Sequence, residues 1–235
     1  MLLLEHEPVY TLGRGADESH LTFLEHDEEA RTRLARSNRG TDSARLTIDR
    51  RVPLYEIVEH ACDRVCPVLA PNGVPIYRVE RGGEVTYHGP GQLVVYPMLD
   101  LTRTPYQQDL HWFLRQVEDV VIRTLAHYDI EGHRDDINTG VWVGERKVCA
   151  VGVSASRWIT THGFALNVAP ELDYFDTSVL LPCGVEGRGV TSISELLKDR
   201  GELEAPSVDN VAQRVLECLR DVFELDELDY GDDLH

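Results

Sequence analysis

Cys183 is the residue best placed by its neighbours to do chemistry. It stands between Pro182 and Gly184, and such a constrained turn displays a sulfur atom rather than packing it. A thiolate is a good nucleophile toward acyl groups, but a free thiol has a pKa near ~8.5 and is mostly protonated at pH ~7. A neighbouring ammonium group favours the charged sulfur. The sequence therefore predicts a nucleophilic cysteine that needs a basic partner.

Lys147 is the candidate for that partner. Of the 23 basic residues only Lys147 and Lys198 are lysine, and all the others are arginine. Codon bias alone explains this for Lys198. Lys147, however, lies in an apolar strand, and a lysine can give up a proton there, which an arginine effectively cannot. We therefore interpret Lys147 as an acid/base group, although the sequence does not show that it meets Cys183.

Two glycine-rich segments supply candidate binding surfaces. Arg81–Gln92 contains four glycines, and Thr161–Asn167 is a strand interrupted by Gly163. Glycine lets a ligand or another backbone approach closely. The first segment matches neither the phosphate-binding loop nor the dinucleotide fingerprint, so a tight hairpin is the alternative. His88 is either a general base or a hydrogen-bonded loop residue, and His162 is equally ambiguous.

Composition excludes several classes of protein. The 235 residues carry a net charge of −18, which makes the chain a poor non-specific nucleic-acid binder. We find no apolar run that predicts a membrane helix and no signal peptide. The odd number of cysteines, five, argues against a disulfide framework and favours a reducing, cytoplasmic setting. Cys62, Cys66 and His60 are better explained by helix packing than by a metal site, so we predict no metal.

The order of predicted elements indicates an α+β fold, a mixed sheet flanked by helices. We expect one catalytic domain over residues 1–223, with a long insertion at about 16–74, and an acidic tail over 224–235. Capping signals predict helices that begin at Thr104-Pro105 and at Ser192. An amphipathic pattern predicts a last helix over Ser207–Phe223. The predicted strands are Leu2–Leu12, Pro75–Glu80, Gln92–Asp100, Val141–Val143, Lys147–Val153 and Trp158–Val168, and two further helices are predicted near Glu28–Ala35 and Tyr55–Val65.

Taken together, the motifs resemble those of one family. The segments Leu2–Arg14, Arg81–Leu93, Arg146–Gly152, Thr161–Asn167 and Leu181–Val185 are similar, in order, to the signatures of the lipoyl(octanoyl) transferases, the lipoate–protein ligase B family. The resemblance covers residues 2–14 and about 75–200. It implies the cofactor-transferase fold shared by biotin and lipoate protein ligases.

The resemblance also implies an activity. Members move octanoate from acyl carrier protein to a lysine of lipoyl-bearing proteins, such as 2-oxoacid dehydrogenase subunits and the glycine-cleavage H protein. The family nucleophile matches Cys183 and its conserved lysine matches Lys147. Because a thioester is exchanged for an amide, neither ATP nor a cofactor is implied. The acyl-binding segments match Arg81, Gly82, Gly83, Glu84, Val85, Thr86, Tyr87, His88, Ala150, Val151, Gly152, Gly163, Phe164 and Ala165.

Two departures from the family pattern bear on partner choice. The chain begins at what is usually the family's second element, and the segment from about 16 to 74 is longer than the usual link. Because the family's protein partners are usually acidic, we expect a basic rim for docking, made of Arg78, Arg81, Arg146, Arg157 and Arg188. An ATP-dependent ligase of the same fold, which needs no cysteine, and a non-catalytic acyl-protein binding module remain the alternatives.

Overall fold

The computed structural model describes residues 1–16, 21, 68–176, 188–202 and 204–225. The predicted helices near 28–35 and 55–65, the cysteines at 62 and 66, most of the predicted insertion and most of the acidic tail lie outside these residues. Within the described part of the chain no helix is long and apolar enough to cross a membrane.

Two β-sheets form the framework. The strands are β1 (Leu2–Leu4), β2 (Val9–Leu12), β3 (Val68–Leu69), β4 (Pro75–Arg78), β5 (Val85–His88), β6 (Gln92–Tyr96), β7 (His133–Arg134), β8 (Val141–Val143), β9 (Arg146–Ser156), β10 (Ile159–Asn167) and β11 (Gly189–Val190). The larger sheet has the order β1-β6-β10-β9-β8-β7, with β11 pairing in parallel with β9, and the smaller has the order β3-β4-β2-β5.

Three α-helices complete the described fold: α1 (Leu110–Ala126), α2 (Ile193–Asp199) and α3 (Val208–Phe223). A short 3₁₀ turn spans Leu172–Phe175. Ser192 caps α2 as predicted, and Ser207 caps α3. Each serine hydroxyl accepts a hydrogen bond from a backbone N–H three residues later. The predicted start of α1 at Thr104 is wrong, because Asp109 caps this helix through the amide of His111.

The apolar stripe of α1 packs against the large sheet, as predicted. Phe113, Val117, Val120, Val121 and Leu125 are fully buried in one core with α3 and with β6, β9 and β10. Leu110 and Leu114, the other members of the stripe, are partly buried against this core. Helices thus cover one face of the large sheet, and the opposite face is left to the small sheet.

The N-terminal strand differs from the prediction. Leu2–Leu12 was expected to be one strand, but β1 pairs with β6 of the large sheet and β2 pairs with β4 and β5 of the small sheet. The chain changes sheets at Glu5–Pro8 because Tyr10 and Leu12 bury in a second core, under the small sheet. That crossing brings the two sheets together around a cavity.

Candidate active site

A cavity of about 890 Å³ lies between the two sheets. This is within the usual range of ligand pockets, roughly 300–1,000 Å³. Along β6 the side chains alternate, so that Leu93 and Val95 enter the helix-side core while Val94 and Tyr96 face the cavity. Its apolar lining includes Val9, Val79, Val85, Val94, Val151, Phe164 and Ala165.

Most of the residues predicted for acyl binding line this cavity. They are Arg81, Gly83, Glu84, Val85, Thr86, His88, Ala150, Val151, Gly152, Gly163, Phe164 and Ala165, and Lys147 lines it as well. Tyr87 does not, because its ring stacks on Tyr174 at 4.5 Å in the core of the small sheet. Gly82 does not line it either, since its amide donates to the Val153 carbonyl at 2.9 Å.

A β-bulge turns Lys147 toward the cavity. Trp142 of β8 pairs with Lys147, but the adjacent Val141 pairs with Cys149, so Val148 is an extra residue in β9. In a regular strand Lys147 and Cys149, two positions apart, would share the helix-side face, because side chains alternate. With the bulge, Lys147 shares the cavity face with Ala150 instead. Nothing in the sequence pattern signals the bulge.

The Lys147 ammonium group is held by neutral partners. Its Nζ donates to the Thr139 carbonyl at 2.9 Å and lies 4.8 Å from the centre of the Trp142 ring. Only 7% of the residue is exposed. Among the described residues no carboxylate lies within ion-pair distance of Nζ. Thr139 and Trp142, which sequence analysis did not single out, therefore set the position of a buried amine that has no fixed counter-charge in the described chain.

Arg81 is an internal cation. Its guanidinium donates to the Gly82, Glu84 and Thr11 carbonyls and to Thr11 Oγ1, at 2.8 to 3.0 Å. Burial lowers its pKa to about 10, mainly through desolvation. Because four protein oxygens hold it inside the cavity wall, Arg81 is not part of a docking rim.

Two further arginines of the predicted basic rim are paired with carboxylates. Arg146 pairs with Glu195 and Asp199, and Arg188 pairs with Asp135 and Glu145. Paired surface charges steer an acidic partner less than free ones do. The prediction of a basic rim therefore fails for Arg81 and is weakened for these two arginines.

Glycines at the site admit the protein's own backbone. Gly152 and Gly163 face each other across β9 and β10. A Cβ on Gly152 would lie 2.8 Å from the Gly82 carbonyl oxygen, and one on Gly163 would lie 2.2 Å from that of Val95. The sequence left open whether these glycines admit a ligand or another backbone. At both positions the neighbour is another backbone. The glycine-rich loop can therefore lie directly on β9.

His88 is a neutral, fully engaged imidazole. Its Nδ1 lies 2.8 Å from Gln92 Oε1 and its Nε2 lies 3.1 Å from Thr11 Oγ1. Burial lowers its pKa to about 3, with desolvation as the main cause and the Arg81 charge as a smaller one. Both ring nitrogens already have partners, so the structure favours the interpretation of His88 as a hydrogen-bonded residue over its interpretation as a general base.

This pKa has a consequence for stability. In the unfolded chain the imidazole titrates near pH ~6.5. Between about pH 6.5 and pH 3 the unfolded state therefore binds a proton at His88 that the folded state does not bind. Lowering the pH through this range should destabilise the protein by up to about 1.4 kcal/mol per pH unit through His88 alone. In urea unfolding between pH ~7.5 and ~5, His88→Asn should lose this component. Stability curves of variant and parent that stay parallel over the range would contradict it.

Cys183 lies outside the described residues. The chain is described again from Arg188, five residues later, whose guanidinium carbon lies 4.9 Å from the centre of the Trp142 ring. β11 follows, and its Val190 pairs with Lys147 itself. Within the described part of the chain no cluster of histidine, cysteine and carboxylate side chains is suited to hold a metal ion.

Comparison with known proteins places the chain in a family. Residues 60–220 match the lipoyl protein ligase A/B catalytic domain. The chain belongs to this family. Its relatives include a protein named octanoyltransferase from Gloeobacter violaceus, which is 43% identical over 83% of this chain and 65% of that protein. Another of the same name, from Nostoc sp. PCC 7120, is 39% identical over 97% of this chain and 79% of that protein. A third, from Flavobacterium johnsoniae, is 37% identical over 95% and 78%.

Solved structures of this family share the fold. A lipoate-protein ligase A bound with ATP has a TM-score of 0.59 at 15% identity, with 97% of this chain and 74% of that chain covered. The bipartite lipoate protein ligase of Thermoplasma acidophilum, studied with its E2 lipoyl domain, has a TM-score of 0.57 at 14% identity, covering 97% and 72%. The predicted lipoate-ligase-like α+β fold is confirmed. The chain spans about two thirds to four fifths of the length of the curated relatives reported above.

Proposed function

We propose that this protein is an octanoyltransferase that moves an octanoyl or lipoyl group to a lysine side chain of a lipoyl-domain protein through a thioester on Cys183. The observation that carries the proposal is Lys147, a buried amine with neutral partners on the wall of an apolar cavity. Membership in the family and relatives named octanoyltransferase support the acyl group.

The proposed chemistry has two acyl transfers. In the first, Lys147 takes the Cys183 proton, the thiolate attacks the donor thioester, and Lys147 returns the proton to the departing thiol. In the second, the acceptor amine attacks the acyl-enzyme, Lys147 accepts its proton, and the Cys183 thiol is restored. A thioester is exchanged for an amide, so the reaction runs downhill without ATP.

The cavity suits an aliphatic chain better than a charged ligand. Its apolar lining would take methylenes out of water, at about 0.8 kcal/mol for each one buried. Polar groups on the wall, such as Arg81 and His88, already have protein partners. The acyl chain would therefore be bound mainly by apolar contacts, leaving the carbonyl near Lys147.

The partners follow from this chemistry as part of the proposal. The donor would be an octanoyl-acyl carrier protein, and the acceptors would be lipoyl domains of 2-oxoacid dehydrogenase subunits and the glycine-cleavage H protein. The lipoyl-domain class is supported by membership in the lipoyl protein ligase A/B family and by the Thermoplasma acidophilum ligase, which was studied with its E2 lipoyl domain. A reducing cytoplasm would keep Cys183 as a free thiol, which the covalent step requires.

Intact-mass measurement tests the proposal. After incubation with octanoyl-acyl carrier protein and no ATP, the protein should gain the mass of one octanoyl group and lose it when a lipoyl domain is added. Peptide mapping should place the adduct on Cys183. No adduct, with octanoylation that depends on ATP, would identify a ligase instead, and no octanoylation under either condition would leave only a binding module.

A further inference from the structure

A chain of buried hydrogen bonds crosses from the small sheet to the large one beside the cavity. His88 is 8% exposed, Gln92 1% and Asn167 4%. On the side of the small sheet, Arg81 Nη2 bonds to Thr11 Oγ1 at 2.8 Å, and Thr11 Oγ1 bonds to His88 Nε2 at 3.1 Å. His88 Nδ1 then bonds to Gln92 Oε1 of the large sheet at 2.8 Å. Gln92 Nε2 bonds to Asn167 Oδ1 at 2.9 Å, and Asn167 Nδ2 bonds to the Thr191 carbonyl at 3.0 Å.

The two ends of this chain fix the direction of every bond in it. The Thr191 carbonyl can only accept, so Asn167 donates to it through Nδ2 and accepts from Gln92 through Oδ1. Gln92 Nε2 also donates to the Tyr87 carbonyl, so Gln92 Oε1 accepts and His88 carries its proton on Nδ1. At the other end Arg81 can only donate, so Thr11 Oγ1 accepts from it. The Thr11 hydroxyl therefore donates its one hydrogen bond to His88 Nε2.

The hydrogen-bond chain ends at Thr191, which is itself bonded to Lys147. The Thr191 carbonyl accepts from Asn167, while the Thr191 amide donates to the Lys147 carbonyl at 3.0 Å. The preceding residue, Val190, pairs in parallel with Lys147. Asn167 lies at the end of β10 and so adds a side-chain bond to the residue that directly follows the short strand β11. β11 is only two residues long, so it has few other bonds to keep it in register.

We propose that Asn167, oriented by Gln92 and His88, is a positioning residue that fixes β11 against Lys147, and that the influence of Lys147 on the Cys183 thiol depends on it. This rests on the proposed function, because it assumes that the two residues work as a pair. The same fixed bonds make His88 a structural connector with its proton on Nδ1. None of these three residues transfers a proton in this scheme.

The thiolate fraction of Cys183 tests the proposal without any substrate. Alkylation by iodoacetamide at a series of pH values, followed by mass spectrometry of the Cys183 peptide, gives the midpoint of its ionisation. In the parent protein Lys147 should hold this midpoint well below about 8.5, the value of a free thiol. In Asn167→Leu, which is close in size but has no donor for Thr191, the midpoint should rise by about one unit, a tenfold loss of thiolate at pH ~7.

Thr160→Val is the matched control. Thr160 lies in the same strand and its hydroxyl donates to the Pro97 carbonyl at 2.9 Å, but it has no bond to β11. It should lose stability and keep the parent midpoint. If Asn167→Leu does not fold, Asn167→Ser, whose hydroxyl is too short to reach Thr191, takes its place. An Asn167 variant that is folded and keeps the parent midpoint overturns the proposal.

The outcomes separate this proposal from the proposed function. A parent midpoint well below 8.5 with no octanoyl adduct overturns octanoyl transfer and leaves the positioning role standing, provided that the Asn167 variant shifts the midpoint. A parent midpoint equal to that of a free thiol overturns the positioning role, because Lys147 then exerts no influence on Cys183, whereas octanoyl transfer is decided by the adduct alone. An adduct in the parent with an unshifted Asn167 variant overturns the positioning role alone.

Discussion

Cys183→Ser is expected to remove the acyl-enzyme and to reduce octanoyl transfer at least a thousandfold. Serine keeps the shape of the side chain, but its hydroxyl does not ionise near neutral pH, and a nearby ammonium group cannot make it a comparable nucleophile. The measurement is intact mass after exposure to the donor, together with the rate of lipoyl-domain octanoylation. A serine variant that forms product at a rate close to the parent would show that no covalent thioester is required.

Cys149→Ala is the matched control for that experiment. Cys149 is two residues from Lys147, which makes it the rival nucleophile in the described chain. The bulge at Val148 places it on the helix side of the sheet, where it is fully buried, and desolvation raises the pKa of its thiol above the usual range. The alanine variant should keep the octanoyl adduct and lose only stability, by about 1–2 kcal/mol for a small core cavity.

Lys147→Arg is expected to reduce the rate of transfer about 10²- to 10⁴-fold, the range that general acid–base catalysis contributes. Arginine retains the positive charge but does not release a proton near neutral pH. Lys147→Met, which is similar in length and uncharged, should be at least as slow and should also raise the ionisation midpoint of Cys183. The measurement is single-turnover acylation with excess donor.

The other lysine provides the control. Lys198 is exposed on α2, and Lys198→Arg should leave the rate unchanged. If Lys147→Arg were as active as Lys198→Arg, the amine would serve only as a charge, and the proton would have to move through another group. His88 does not fit that role, because its Nδ1 donates to Gln92 and its Nε2 accepts from Thr11.

The sequence was sufficient to predict helix starts and buried helix faces, because these depend only on residues close together in the chain. The serines at 192 and 207 start helices because a side-chain oxygen satisfies a free amide three residues on, which depends on no distant contact. The stripe on α1 predicts its buried face for a similar reason, since the helical period alone decides which residues share a side. The ordered glycine, lysine and cysteine motifs likewise identified the family, and with it the fold.

Other features depended on partners far away in sequence. The strand predicted over Leu2–Leu12 divides between two sheets because Tyr10 and Leu12 bury under β4 and β5, residues more than sixty positions later. Arg81 was expected at the surface, but the loop that it begins lies on β9, where Gly152 leaves room for the Gly82 carbonyl. A sequence pattern gives residue types and spacing, and neither contains such contacts.

For the active site, the sequence by itself determined that a lysine and a cysteine are available, together with the glycines that allow backbones to meet. The tertiary structure decided which way the lysine points. A single extra residue, Val148, rotates Lys147 from the helix-side core to the cavity, where Thr139 and Trp142 hold it. It also decided that His88 is neutral and fixed, because a buried imidazole between Thr11 and Gln92 loses its hydration without gaining a carboxylate partner. Strand register and desolvation are properties of the assembled fold, which is why the sequence pattern contained no sign of either.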